Sequence, residues 1–193
     1  MNRKFIMLAV LAGFSLAFFP AGFSAADDKE SLKKDAVKIV KQFAEELTGK
    51  MQAAMKQGGP PKAIEVCSRD AQDTASRLSR ENGQVVRRVS LKLRNHADAP
   101  DAWEQNVLKE FDSQVKSGKN AQDLAKAEIV SEPEGRFFRF MKAIPTAELC
   151  LACHGKSIDP TVKSALSENY PHDNAQGYEA GMVRGAFSIK RKL

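Results

Sequence analysis

The chain has 193 residues, 42% hydrophobic and 28% charged, with 30 Lys and Arg against 24 Asp and Glu for a formal charge of +6 at pH 7. So mild an excess, clustered only at Arg87-Arg88 and Lys190-Arg191-Lys192 and joined to no nucleic-acid motif, argues against a nucleic-acid partner. Past the leader described next, no stretch is apolar enough to span a bilayer, and the hydrophobic share is enough for one packed core.

Arg3 and Lys4 precede an apolar run from Phe5 to Phe19. Pro20 and Gly22 break that run, and the small residues Ser24, Ala25 and Ala26 follow it. This is the order of a secretory leader, 1–26, cut after Ala26. An uncleaved anchor is the competing reading, and the small-residue exit argues against it. The expected mature protein, 27–193, is a single periplasmic domain with no stable membrane insertion once the leader is gone.

From Lys29 to Lys56 the apolar residues Leu32, Ile39, Val40, Phe43 and Leu47 recur at three- and four-residue steps, which predicts a helix. Gly58-Gly59-Pro60-Pro61 ends it. A second helix is expected from Pro61 to Arg80, since proline suits a first helical turn. Val89-Ser90-Leu91-Lys92-Leu93-Arg94 alternates apolar and polar residues, as a half-buried strand does. Asp98 to Asp101 forms a loop and cap, and Trp103 to Lys116 a third helix. Ala127–Val130 and Arg136–Ile144 read as two strands joined through Pro133 and Gly135. A short helix is expected over Pro160–Glu168 and a last strand over Met182–Ile189. Helices lead and strands gather towards the end without βαβ alternation, so the expected class is α+β.

The three cysteines, Cys67, Cys150 and Cys153, all fall in the mature part, an odd count for an oxidising compartment. Cys150-Leu151-Ala152-Cys153-His154 has the C-x-x-C-H spacing. Two thiols so placed reach two vinyl groups on one porphyrin edge, and the imidazole that follows offers a nitrogen to the iron. The expected cofactor is one covalent haem c, with thioethers at Cys150 and Cys153 and His154 as iron ligand. A redox disulfide would need a strand-to-helix βαβ start. A zinc site would need a second ligand pair at finger spacing. Neither is present.

Several residues compete for the second axial position. Cys67 lies on the second predicted helix, with Arg69 near enough in sequence to hold a thiolate. Its other reading is a small buried core residue. Met51, Met55, Met141 and Met182 are thioether candidates, and His172 and His96 imidazole candidates. Phe137, Phe138, Phe140 and Phe187 are candidate pocket walls, and Arg136 and Arg139 candidate partners for haem propionates. Each serves equally as ordinary core or surface.

The mature sequence resembles the PAS-like c-type haem-binding domains, a family of lone exported haem proteins and sensory ectodomains. The resemblance rests on Ala63-Ile64-Glu65-Val66-Cys67, Leu91-Lys92-Leu93-Arg94-Asn95, Pro100-Asp101-Ala102-Trp103-Glu104, Cys150 to Gly155, and Gly177-Tyr178 with Arg184-Gly185-Ala186-Phe187-Ser188-Ile189. It implies an antiparallel sheet flanked by helices, with long N-terminal helices, and an iron held between His154 and the Cys67 sulfur. His96, where the family pattern has proline, and His172, where it has an acidic residue, depart from it.

Two functions follow as expectations. One is a redox- or gas-sensing haem domain acting through a separate signalling partner, with carbon monoxide or nitric oxide as candidate ligand. The other is a periplasmic single-electron carrier between partner proteins, with Arg87, Arg88, Lys190, Arg191 and Lys192 steering acidic partners. No open iron position or polar distal pocket is legible, so an enzyme is not expected.

Overall fold

The computed structural model describes residues 25–193. The expected leader lies outside them except for Ala25 and Ala26, which begin the first helix. Helix α1 (Ala25–Asn82) carries both predicted N-terminal helices, interrupted at Gly58 and Gly59. Gly59 has φ +67° and ψ −161°, a left-handed backbone that glycine adopts without steric cost. Pro60 and Pro61 start the second limb, where the missing N–H groups are no loss.

The chain then forms β1 (Val85–Val89), α2 (Ala102–Lys116), β2 (Ala125–Glu132), β3 (Gly135–Pro145), α3 (Leu151–His154), α4 (Pro160–Asn169) and β4 (Val183–Lys192). The four strands make one antiparallel sheet in the order β1-β4-β3-β2. This is the expected α+β, PAS-like arrangement, with the long N-terminal helix laid on the sheet. Among the described residues no helix is long and apolar enough to cross a membrane.

Period-two alternation sorts the strands between two cores. Phe138, Phe140, Phe187 and Ile189 face α1 and pack with Phe43 and Leu78. Met141, Ala143 and Ala186 face α2 and pack with Val107, Leu108 and Phe111. The rings of Phe43 and Phe187 are 5.1 Å apart and tilted. Burying each such aromatic contributes roughly 1.5–3 kcal/mol. The phenylalanines expected as haem-pocket walls are therefore core beneath α1, apart from Phe137, whose ring lies under the Lys190 ammonium.

Helix α2 opens with a capping box. The Asp101 carboxylate accepts the Glu104 backbone N–H, and the Glu104 side chain accepts that of Asp101.

One predicted strand is misplaced. The ladder occupies Val85–Val89, not Val89–Arg94. Its pairing with β4 ends at Val89 opposite Ala186. There the Val89 carbonyl crowds Gly185, where a Cβ would stand 2.4 Å from that oxygen. Ser90 turns the chain away, its N–H donating to the Asp98 carbonyl and its hydroxyl oxygen lying 2.9 Å from the carbonyls of both Lys92 and Arg184. Leu91 is left 40% exposed, so the alternation of 89–94 does not report a buried face.

Strands β3 and β4 are neighbours in the sheet, yet the chain makes a long excursion between them. Backbone bonds close its base: Thr146 N–H to the Met182 carbonyl and Gly181 N–H to the Thr146 carbonyl, both 2.8 Å. The C-x-x-C-H segment lies on this excursion.

Candidate functional site

A 3-10 turn, Glu148–Cys150, runs directly into the single turn of α3, so Cys150, Cys153 and His154 share one continuous helical piece. Gly155 stops it. A Cβ at that position would sit 2.6 Å from the Leu151 carbonyl oxygen, to which the Gly155 N–H already donates. The following loop returns across the turn, with Tyr178 N–H donating to the His154 carbonyl at 2.9 Å and Gly177 N–H to that of Gly155 at 3.0 Å.

The His154 ring is oriented from three sides. Its Nδ1 lies 2.7 Å from the Ala175 carbonyl oxygen, a separation that makes Nδ1–H the donor and leaves Nε2 with the lone pair. Arg94 Nη1 is 3.2 Å from that Nε2. Arg184 Nε lies 3.1 and 3.4 Å from the two ring nitrogens, nearly equidistant and so against the ring. Tyr178 meets the ring edge to face at 6.1 Å. Burial, then the charges of Arg184 and Arg94, push the His154 pKa down to about 3, so the imidazole is neutral.

Arg94 ties the site together. It donates to the Cys153 carbonyl at 2.6 Å and forms a two-point pair with Asp173 at 3.0 and 3.1 Å. Burial raises the Asp173 pKa, but the Arg94 bond and the Ala175 N–H outweigh it and leave that carboxyl below its ordinary value. Arg184 differs, because its near partners are all uncharged: Ser90 Oγ at 2.8 Å, the Lys92 carbonyl, and the rings of His154 and Tyr178. Burial pulls its pKa below the ordinary arginine range.

Cys67 reaches the site from the second limb of α1. Helix α4 packs on that limb through Ile64, Ile158, Val162 and Leu166, with Cys153 and Tyr170 against the same cluster. The Cys67 thiol is raised in pKa by burial, opposed by Arg88 and Arg94. It lies close enough to Cys153 and Tyr170 that its charge raises both of theirs after burial does; Tyr170 reaches about 12. No disulfide joins any two of the three cysteines.

Of the four residues expected to hold the cofactor, Cys150, Cys153 and His154 share one helical piece, and the limb of α1 that carries Cys67 packs through Ile64 on the cluster that Cys153 also touches. Arg69 is not the residue that faces Cys67, since it is exposed and pairs with Glu65. Arg139 is buried under α2 with three carboxylates and is not at the site. Met141 is fully buried in the α2 core, and Met182 accepts the Glu179 N–H. His172 is exposed and faces His96 rather than the thiols. Missed as site residues were Arg94, Arg184, Asp173 and Tyr178, all but Asp173 lying in stretches already singled out by the resemblance.

Beside the site, Leu91, Leu108, Val115, Tyr178, Val183 and Arg184 line a largely apolar cleft of about 360 Å³.

The Tll0287-like family model matches residues 24–191. Among solved structures, the crystal structure of the cyanobacterial heme-protein Tll0287 aligns with a TM-score of 0.59 and 25% identity, over 82% of this chain and 96% of that one. No curated protein matches the chain.

Proposed function

From the premise that the chain belongs to the Tll0287-like family, we propose that it is an exported c-type haem protein acting as a redox- or gas-sensing domain. The observation that carries the reading is a neutral His154 whose Nδ1–H is engaged by the Ala175 carbonyl, next to two thiols on one turn and a third, buried thiol at Cys67. Second ring nitrogens held by backbone carbonyls are the usual support of imidazoles that ligate through the other nitrogen.

The residues fit one haem. Cys150 and Cys153 would hold it as thioethers, and His154 and Cys67 would offer a nitrogen and a sulfur donor to its iron. The two carboxylate side chains of haem need counter-charge, and Arg184, which forms no salt bridge among the described residues, would supply it, with Lys92 alongside over the Tyr178 ring. Arg88 and Arg94 both favour the anionic form of Cys67 against the cost of burial. Bound there, haem would supply a one-electron couple, placed low by a thiolate donor, and a small gas would bind only by displacing the Cys67 sulfur.

Cys67 rides on α1. A change in what its sulfur binds would be felt by the second limb of α1, which suits signalling to a separate partner protein. The second reading, a periplasmic electron carrier, has less support from the surface. Of the five basic residues expected to steer a partner, Arg88, Lys190 and Arg191 pair with Asp98, Glu132 and Asp35, and Arg87 donates to the carbonyls of Ala97 and Ala99. With four residues assigned as attachment or axial donors, the proposal is non-catalytic.

The test is the absorption spectrum, oxidised and reduced, of protein matured in a haem-attaching host, beside its Cys67→Ser variant. Covalent haem with a changed ferric spectrum in the variant is the expected result. Wild type without covalent haem overturns the proposal. Coincident spectra remove Cys67 as ligand, and reversible one-electron exchange without gas uptake would then make the protein a carrier.

A further inference from the structure

Outside that set, on the exposed rim of the excursion, two imidazoles stand ring to ring. His96 opens the 3-10 turn His96–Asp98, and His172 lies in the loop after α4. Their ring centres are 5.6 Å apart with the planes at 70°. Both residues are exposed. The hydrogen bonds they make run through their backbones: the His96 carbonyl accepts the Ala99 N–H, and the His172 carbonyl accepts from the Asn174 side chain. Among the described residues, no hydrogen bond is made by a nitrogen of either ring.

The two loops are fixed against each other independently of those rings. Asn174 N–H donates to the Leu93 carbonyl at 2.7 Å, and the Arg94–Asp173 pair clamps the same two segments one residue further along. The Asn95 side chain caps the turn that carries His96 by accepting the Ala97 N–H. Two imidazoles are therefore presented at a set spacing by rigid backbone, and little ordering is left to be done on binding.

That spacing suits a metal ion. With metal–nitrogen bonds of about 2.0–2.1 Å, two imidazoles on one tetrahedral centre have ring centres roughly 5–6 Å apart. The ring contact by itself is a weak interaction. Imidazole is a preferred donor for zinc, nickel and copper. We propose that His96 and His172 form a two-histidine site for a divalent first-row transition ion, with water completing its coordination. A bound ion staples the His96 turn to the loop that supplies Asp173 to Arg94 and the Ala175 carbonyl to His154, so occupancy stiffens the support of the other site. The proposal does not depend on haem.

Zinc titration calorimetry on the intact matured protein, compared with His96→Ala and His172→Ala, tests it. Free thiols also take zinc, so the reading is the difference between proteins. The expected result is a binding event weakened about tenfold or more in each single variant and lost in the double variant. An isotherm unchanged in either single variant overturns the proposal. Ring-nitrogen NMR gives a second readout, since the chain has three histidines. Zinc should shift His96 and His172 together and leave His154 in place, whereas a shift of one without the other means a single adventitious imidazole and no site.

Discussion

Arg139 and Arg184 stand on adjacent strands of one sheet, β3 and β4, and are treated in opposite ways. Arg139 is 2% exposed and surrounded by Asp101 at 2.5 Å, Glu132 at 3.1 Å and Glu104 at 3.6 Å, with the Trp103 ring 4.6 Å from its guanidinium carbon. Glu104, also 2% exposed, accepts from Ser188 at 2.7 Å and closes the network against β4. Arg184 lies among neutral groups and an imidazole. A buried cation with carboxylates around it is a structural element. One desolvated without them is energetically incomplete until an anion arrives. The contrast separates scaffold from site without appeal to residue type, since both are arginines.

Three measurements break or sharpen that contrast. The largest effect belongs to Arg139→Leu, which strands Glu104 under α2 without its counter-ion. A loss of about 3–5 kcal/mol is expected in urea unfolding, and a loss below about 1 kcal/mol would mean the network is not structural.

Acid comes next. Burial raises the Asp101 pKa, but the Arg139 bond, the Glu104 N–H and the positive charges outweigh it, holding it below the ordinary value of 3.8. The unfolded chain therefore takes up the proton first as pH falls. The Asp101 contribution is full above about pH 3.8 and is lost below it, as pH passes through the folded pKa. Asp101→Asn should flatten that part of the stability–pH curve, which acid unfolding followed by circular dichroism reads directly.

The smallest change in stability belongs to Arg184→Met. Removing a half-buried charge that forms no salt bridge among the described residues should leave the haem-free chain within about 1 kcal/mol of wild type. In the haem-loaded protein the same variant should lower the reduction potential, because a positive charge near the iron favours the reduced form. A loss of stability as large as that of Arg139→Leu would erase the distinction between the two arginines.

Much of the fold was legible because its signals are local. The break at Gly58-Gly59, the cap at Asp101, the turn at Pro133 and the start of α4 at Pro160 each depend on a few consecutive residues, and each stands where the sequence put it. The strand expected at 89–94 failed for a non-local reason. A strand needs a partner, and β4 has none to give beyond Ala186, where Gly185 is pressed against the Val89 carbonyl. The same segment is pulled aside to deliver Arg94 to Asp173, 79 residues away.

By itself the sequence determined the α+β class and the C-x-x-C-H piece with its imidazole, because helix stops, caps and the motif's spacing are properties of contiguous chain. It also marked Cys67 as the odd thiol. Only the tertiary structure decided that the Cys67 limb of α1 packs against the cluster that Cys153 touches, that Arg94 and Arg184 flank His154, and that Arg139 is satisfied elsewhere. Desolvation and counter-charge are set by neighbours in space. Which of several arginines is left without an acid is decided when helices and strands close over them.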